Sequence, residues 1–335
     1  MPLEFYYNGH LRWSFFWENP NYFAAFLACL LGWLWWGQQS LRFTVHSLQL
    51  GNLEKPVAKR RNYLPLALGA LFVVFVLELG LWFLLAKTYS RGGLLAAGMG
   101  MLFFFILHGL RGTGDSPVSS MGCQPMFRKW HGRLARVLHM GGTPMPHNPT
   151  GWQPVLRNLI VRIALVAVIC TAVGFSSRMA PGYMTQDNSV LNRFEMWKGA
   201  MVMMNDTPFH GWGRGMGGMA YVNWYQPLEA PQRSLRVVNS YLEVAVEHGT
   251  PVLFISLACA LALVLLAARQ RSRHTWALAA GSVLVTWLTA NLLTSLWAEP
   301  TLWILPAIAM IGVIVGALLA TPGFPLKTLA ISSAA

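Results

Sequence analysis

A chain of 335 residues with 55% hydrophobic and 11% charged residues departs strongly from soluble composition, where roughly 25% charge is usual. Its +13 formal charge falls in short loops between apolar runs, which is the pattern of inward-facing membrane loops rather than of a nucleic-acid surface. A soluble enzyme and a nucleic-acid-binding module are thereby excluded, and an all-α polytopic membrane protein is expected.

Seven apolar runs are candidate spans: 22–36, 64–86, 93–110, 159–177, 252–268, 276–297 and 302–320. Most approach the roughly 20 residues that cross a hydrocarbon core, and the first is short for that task. Residues 1–21 lack the basic start, apolar core and small-residue cleavage site of a leader, so the spans themselves are expected to direct insertion. With the N-terminus outside and the C-terminus in the cytoplasm, the inside loops (chiefly Arg42 to Arg61, Arg111 to Arg157 and Arg269 to Arg273) hold 15 Lys and Arg against 9 outside. Three regions follow: a membrane part over 1–178, a large external loop over 179–251, and a second membrane part over 252–335. The four cysteines, Cys29, Cys123, Cys170 and Cys259, have neither CxxC nor Cys/His spacing, so they give neither a disulfide framework nor a zinc site.

In the second span Glu78 is an ionisable group inside the bilayer and needs a partner or solvation. Arg162, a few residues from the inner surface, is read as snorkelling inward. The inside loop 111–158 contains RKWHGRLARVLHM, in which Trp130, Leu134, Val137 and Leu138 recur at helical spacing opposite Arg128, Lys129, Arg133 and Arg136. It reads as an interfacial helix on anionic membrane lipids, with docking of a companion membrane subunit as the alternative.

The external loop mixes balanced charge with Trp and Tyr. Val190, Phe194, Trp197, Met201 and Met204 repeat every three or four residues, which predicts an amphipathic helix capped by Asn188 or Ser189. GWGRGMGG has GxGxxG spacing without a preceding strand, so a dinucleotide site does not follow; its glycines either form a plain turn or present backbone N–H groups around Arg214 to an anion. Asn239, Glu243 and Glu247 stand at i, i+4 and i+8, which puts an amide and two carboxylates on one helix face. These acids either serve the dipole of a helix start or, desolvated at the membrane edge, act as a base. His248 and His210 are the other candidate bases, or plain loop histidines. No outward-facing acid cluster has metal spacing, so neither metal nor cofactor is expected.

Several separated stretches together resemble the O-antigen ligase and O-antigen polymerase superfamily of bacterial envelope glycosyltransferases. ENPNYFAAFL (Glu18 to Leu27, with Asn19 and Asn21), TYSRGGLLA (Thr88 to Ala96, with Ser90), RFEMWKGA, DTPFHGWGRG and VNSYLEVAVEHGTP follow the family's order relative to the spans. The resemblance implies transfer of a glycan from a polyprenyl diphosphate to a hydroxyl, with a lipid-linked oligosaccharide donor, a glycan or lipid acceptor, and a periplasmic site in the inner membrane. Arg91 and Arg193 match the family's arginine positions and are implied to hold the diphosphate, with Arg214 assisting and Trp197, Asn239 and Tyr241 in support. A planar guanidinium suits that task because it binds phosphate oxygens in pairs. The bland alternatives are a headgroup anchor for Arg91 and a surface ion pair for Arg193. Two departures stand out: the chain has fewer spans before Asn-Pro-Asn than the family usual, and Val238 occupies the place of the family's favoured catalytic histidine. A transporter or an inactive glycolipid-binding scaffold is the rival reading, with Glu78 the residue suited to transport.

Overall fold

The computed structural model describes residues 4–7, 10–15, 17, 19–50, 57–111, 152–174, 188–228, 237–270, 275–296 and 299–320. The basic stretch around Arg128 to Arg136 lies outside the described residues, as does Glu18. The described chain is an all-α membrane bundle preceded by one small hairpin, β1 (Glu4–Tyr7) and β2 (His10–Trp13), paired antiparallel with Glu4 opposite Trp13. The hairpin is the one sheet element among the described residues, and its sequence signal is the Asn8-Gly9 pair between Tyr7 and His10, which a reading of apolar runs passes over.

The bundle helices are α1 (Pro20–Leu50), α2 (Val57–Lys87), α3 (Arg91–Arg111) and α4 (Trp152–Ala172), then α8 (Thr250–Gln270), α9 (Thr275–Leu293) and α10 (Ile304–Ala320). Between the two groups come α5 (Asn188–Asp206), the short α6 (Gly217–Ala220) running into a π-turn at Tyr221–Tyr225, and α7 (Ser240–His248). Among the described residues, five of the bundle helices are long and apolar enough to cross a membrane: 64–87 of α2, 91–110 of α3, and α8, α9 and α10 with the 3-10 turn at Pro300–Trp303. The remaining two expected spans lie in α1 and α4 of the same bundle. The first run extends far past 36, and the fourth stops at Ala172 with Gly174 in the left-handed region (φ 78°).

Small residues decide how this bundle closes. Helix α9 packs on α3, α1, α8 and α10, and Ala277, Ala279, Ala280 and Val283 are fully buried at its centre. A Cβ on Gly100 of α3 would lie 2.0 Å from the Thr286 hydroxyl, and one on Gly32 of α1 would lie 2.9 Å from Val283. Without a hydrophobic drive between helices in lipid, such close approach supplies the packing that holds them together. It also lets Ser282 donate from its hydroxyl to the Gly100 carbonyl at 2.9 Å.

The antiparallel packing of α3 on α9 brings Gly92 against Leu293. Gly93 likewise lies against Ala24 near the start of α1, and the Tyr89 hydroxyl donates to the Val173 carbonyl beyond α4 at 2.6 Å. The starts of α1, α3 and α8 and the ends of α2, α4 and α9 therefore share one end of the bundle, which also carries α5 to α7.

Glu78, 1% exposed, is neutralised inside the bundle. It accepts from the Trp35 indole at 2.9 Å and the Gln38 amide at 2.6 Å, and it is ion-paired with Arg162. Arg162 also donates to Gln38 and lies over the Phe105 ring. The snorkelling expectation for Arg162 is thus corrected: its guanidinium turns into the bundle because a buried carboxylate attracts it more than the interface does. Arg162→Leu should cost about 3–5 kcal/mol by leaving that carboxylate buried without its cation. A double-mutant cycle with Glu78→Gln, followed by denaturation in detergent, should return a coupling of about 0.5–3 kcal/mol; additive losses would contradict the pairing.

Candidate functional site

At the end shared by α3 and α9, capping sets the geometry. Asn19 accepts from the Asn21 N–H at 2.9 Å with Pro20 opening α1, and Ser90 accepts from the Gly93 N–H at 3.1 Å to start α3. These side chains satisfy helix-end donors, each worth about 1 kcal/mol. The turn between α2 and α3 is tight: Thr88 donates to the Leu85 carbonyl, and Tyr89 takes a left-handed φ of 50°. Arg12, buried at 8% exposure, locks this turn to α1. It donates to the Thr88 carbonyl at 2.8 Å and to Asn21 at 3.1 Å, so Asn21 orients Arg12. Arg91 then occupies the first position of α3, half-buried, where the helix dipole favours an anion.

Helix α7 is built into the same end from both of its termini. Asn239 caps it, accepting from the Tyr241 and Leu242 N–H groups at 2.9 and 3.2 Å. Ser240 donates to the Thr294 carbonyl and accepts from the Leu296 N–H, and the Tyr241 hydroxyl donates to Leu288 at 2.7 Å. The Ser295 hydroxyl donates to the Glu243 carboxylate. The first turn of α7 thus docks on the last turn of α9 and the segment after it, beside the Gly92–Leu293 contact that carries Arg91.

The last turn of α7 is held by the glycine turn. Trp212 and Gly213 donate their N–H groups to the Val246 and Glu247 carbonyls at 2.7 and 3.0 Å, satisfying acceptors that a helix end leaves open. A Cβ on Gly211 (φ 65°) would lie 2.4 Å from the Glu247 carbonyl carbon, and one on Gly217 would lie 3.6 Å from the Glu247 carboxylate. Glu247 is 9% exposed, and no hydrogen-bond donor faces its carboxylate among the described residues. The two acids therefore differ: Glu243 is engaged by Ser295, and Glu247 points uncommitted at the glycine turn.

The predicted face carrying Asn239, Glu243 and Glu247 is consequently divided. Asn239 turns back on its own helix, Glu243 faces the α9 end, and Glu247 faces the loop. Arg214 is exposed on the turn between Gly213 and Gly215, His210 is exposed, and His248 is half-buried at the end of α7. Arg193 is half-buried on α5, one turn before Trp197, whose indole donates to the Val238 carbonyl at 3.4 Å. Val238 itself is half-buried against the loop's apolar cluster.

Of the predicted stripe on α5, Trp197 and Met204 pack against that cluster, while Phe194 and Met201 do not. The cluster's buried residues on α5 are Met196, Ala200 and Met203, which meet Tyr221, Val237 and Val246, while Phe194 and Met201 are exposed at 54% and 52%. The loop has an apolar core of its own, so α5 is placed by Tyr221, against which Gly199 packs closely. Tyr225 donates to Asp206, which with burial raises its pKa to about 12, and burial raises Tyr241 to about 12. Both phenols stay protonated near neutral pH, so neither supplies a base. Ser295, Arg12 and the stapling role of Gly211 and Gly213 were not foreseen. Ser295 lies in an apolar run with no spacing relation to Glu243, and Arg12 precedes every quoted motif.

Gly211→Ala and Gly215→Ala test the staple. Both glycines have positive φ, but a Cβ on Gly215 meets nothing within 4 Å. Gly215→Ala should cost only the roughly 1–2 kcal/mol of a left-handed residue. Gly211→Ala should cost more, because the Glu247 backbone must move, and chemical denaturation should resolve the difference. Equal losses would contradict the staple.

No curated protein and no solved structure matches the chain. A match to the family described as O-antigen ligase covers residues 76–257, from the middle of α2 through both arginine-bearing helices and α7 into α8. It takes in more than half of the sequence and every predicted site residue except Asn19 and Asn21. The chain belongs to the O-antigen ligase family, whose members carry out ligase- or polymerase-type glycan transfer in the membrane.

Proposed function

We propose that this protein transfers a glycan from a polyprenyl diphosphate carrier to a hydroxyl acceptor, at the bundle end bearing α7, on the periplasmic side of a bacterial inner membrane. The observation that carries the reading is the shared location of an arginine-headed helix start, Ser90–Arg91, and a buried acid-bearing helix docked beside it through Leu293 and Ser295. One group suits a phosphate and the other a proton, at a single surface.

In the transfer the bond from the sugar anomeric carbon to the diphosphate oxygen breaks, and the acceptor oxygen takes its place on that carbon. The acceptor proton passes to a carboxylate, and negative charge grows on the departing polyprenyl diphosphate. Arg91 and Arg193 hold that diphosphate, and Arg214 on its exposed turn meets it from the loop. Fixed cations aimed at developing charge lower the barrier without reorganising. Glu247 is the preferred base: it is buried beside the glycine turn and lacks the hydroxyl donor that Glu243 has. Glu243 acts as a positioning residue, tying α7 to the α9 end.

Arg42, Arg111, Arg157 and Arg269, on the helix ends away from α7, support the periplasmic assignment through the excess of Lys and Arg on cytoplasmic faces. Glu78 gives the transporter reading no support, because Trp35, Gln38 and Arg162 already occupy its carboxylate.

Reconstitution with a lipid-linked oligosaccharide tests the assignment. Arg91→Ala and Arg193→Ala should each lower transfer by about 10²-fold or more with expression intact, and Glu247→Gln should lower it comparably while Glu247→Asp retains a part. Wild-type rates in both arginine variants would remove the assignment; a wild-type rate in Glu247→Gln alone would move the base to His248 or His210.

A further inference from the structure

Far from the glycan end, a groove of about 280 Å³ opens between α1 and α2. It is lined by Gln38, Arg42, Leu68, Leu71, Phe72 and Phe75. Leu68, Phe72 and Phe75 are exposed at 45%, 67% and 43%, so its wall faces the surroundings of the bundle, which in a membrane are acyl chains. The depth of the groove follows from helix rise. Arg42 lies roughly 22 residues beyond Pro20, about 33 Å along α1, while Phe75 lies roughly 12 residues before Lys87, about 18 Å along α2. Against a hydrocarbon core of about 30 Å, the groove runs from mid-bilayer to the headgroup level opposite the glycan site, with Arg42 at its polar end.

Charge decides what fills it. Gln38 forms one wall and is itself held by Glu78 and Arg162. Glu78 and Arg162 neutralise each other, and Arg42 stands one turn beyond Gln38 on α1, in the same groove wall. No acid pairs with Arg42 among the described residues, so the cluster carries one surplus positive charge at the mouth of an apolar groove. A cation at this position is complemented by an anion, and the groove beside it takes a hydrocarbon chain.

We infer that the cleft between α1 and α2 is a binding site for an anionic phospholipid of the leaflet opposite the glycan site. The lipid phosphate pairs with Arg42, and one acyl chain lies along Leu68, Leu71, Phe72 and Phe75. Basic pockets between membrane helices hold lipid headgroups by this combination of charge and apolar contact. Because Gln38 belongs both to the groove and to the Glu78 cluster, an occupied site also braces the α1–α2 contact.

Native mass spectrometry of the full chain in detergent tests this directly, with dioleoyl-phosphatidylglycerol and dioleoyl-phosphatidylcholine as probes. The wild type should bind the anionic lipid about tenfold more tightly than the zwitterionic one. Arg42→Gln should erase that preference, Arg42→Lys should keep most of it, and Phe72→Ala should weaken both lipids alike. Glycerol 3-phosphate in excess should not displace the bound lipid; displacement would mean that the site takes a free phosphate and would overturn the proposal. Equal affinity for the two lipids in the wild type, or an unchanged preference in Arg42→Gln, would overturn it as well. Should Arg42→Gln fail to fold, a phosphatidylglycerol with a photoreactive acyl chain decides on the wild type: adducts should map to residues 68–75, and adducts only elsewhere refute the site. None of these measurements depends on glycan transfer.

Discussion

The docking of one nine-residue helix, α7, holds the functional end together. A helix this short is unstable alone in water, because its first and last turns leave most of its backbone groups unpaired. Here each terminus is supplied from another part of the chain. Asn239 closes the first turn, Ser240 and Tyr241 fasten it to the end of α9, and the N–H groups of Trp212 and Gly213 close the last turn. The loop and the bundle thus meet through α7, and whatever shifts α9 shifts the acids with it.

Helix α9 resists such shifts because its contacts are backbone-close. Gly100 and Gly32 admit α3 and α1 to distances that any larger residue would forbid, and the buried Glu78 cluster fixes α1 and α2 relative to α4 through Arg162. These two devices act at different depths, glycine contacts along α9 and a charge cluster farther from the glycan end. Arg91 at the head of α3 and Ser295 beyond α9 are therefore held by the same rigid pair of helices, which is the preorganisation that electrostatic catalysis demands.

Much of this was readable from the sequence where a single local rule governs. Long apolar runs identified most of the bundle, and the order of Ser90–Arg91, Arg193 and the α7 segment relative to those runs identified the family. Non-local pairings were not readable. Periodicity on α5 favoured Phe194 and Met201 because both are apolar, yet the buried face is the one that meets Tyr221, and Gly199 marks it only once that ring is in place. Arg162 was misread for the same reason: its distance to the interface is visible in the chain, but its distance to Glu78 is not. Asn239 looked like part of a polar face, although its spacing to Tyr241 and Leu242 is equally that of a helix cap.

The valine at position 238 gains a physical explanation from the same geometry. Position 238 presents its carbonyl to Trp197 and its side chain to the loop's apolar cluster, so a valine there strengthens packing where an imidazole would need a partner. In the function proposed above, the acceptor proton passes to a buried group on the same element that no described donor engages. Glu243 is instead tied to the α9 end by the Ser295 hydroxyl. Glu247, two turns from the cap and facing the glycine turn that carries Arg214, combines burial with an open coordination shell. In that proposal, moving the base from one end of α7 to the other would leave the diphosphate site proposed at Arg91 unchanged and alter only the direction from which the acceptor hydroxyl approaches.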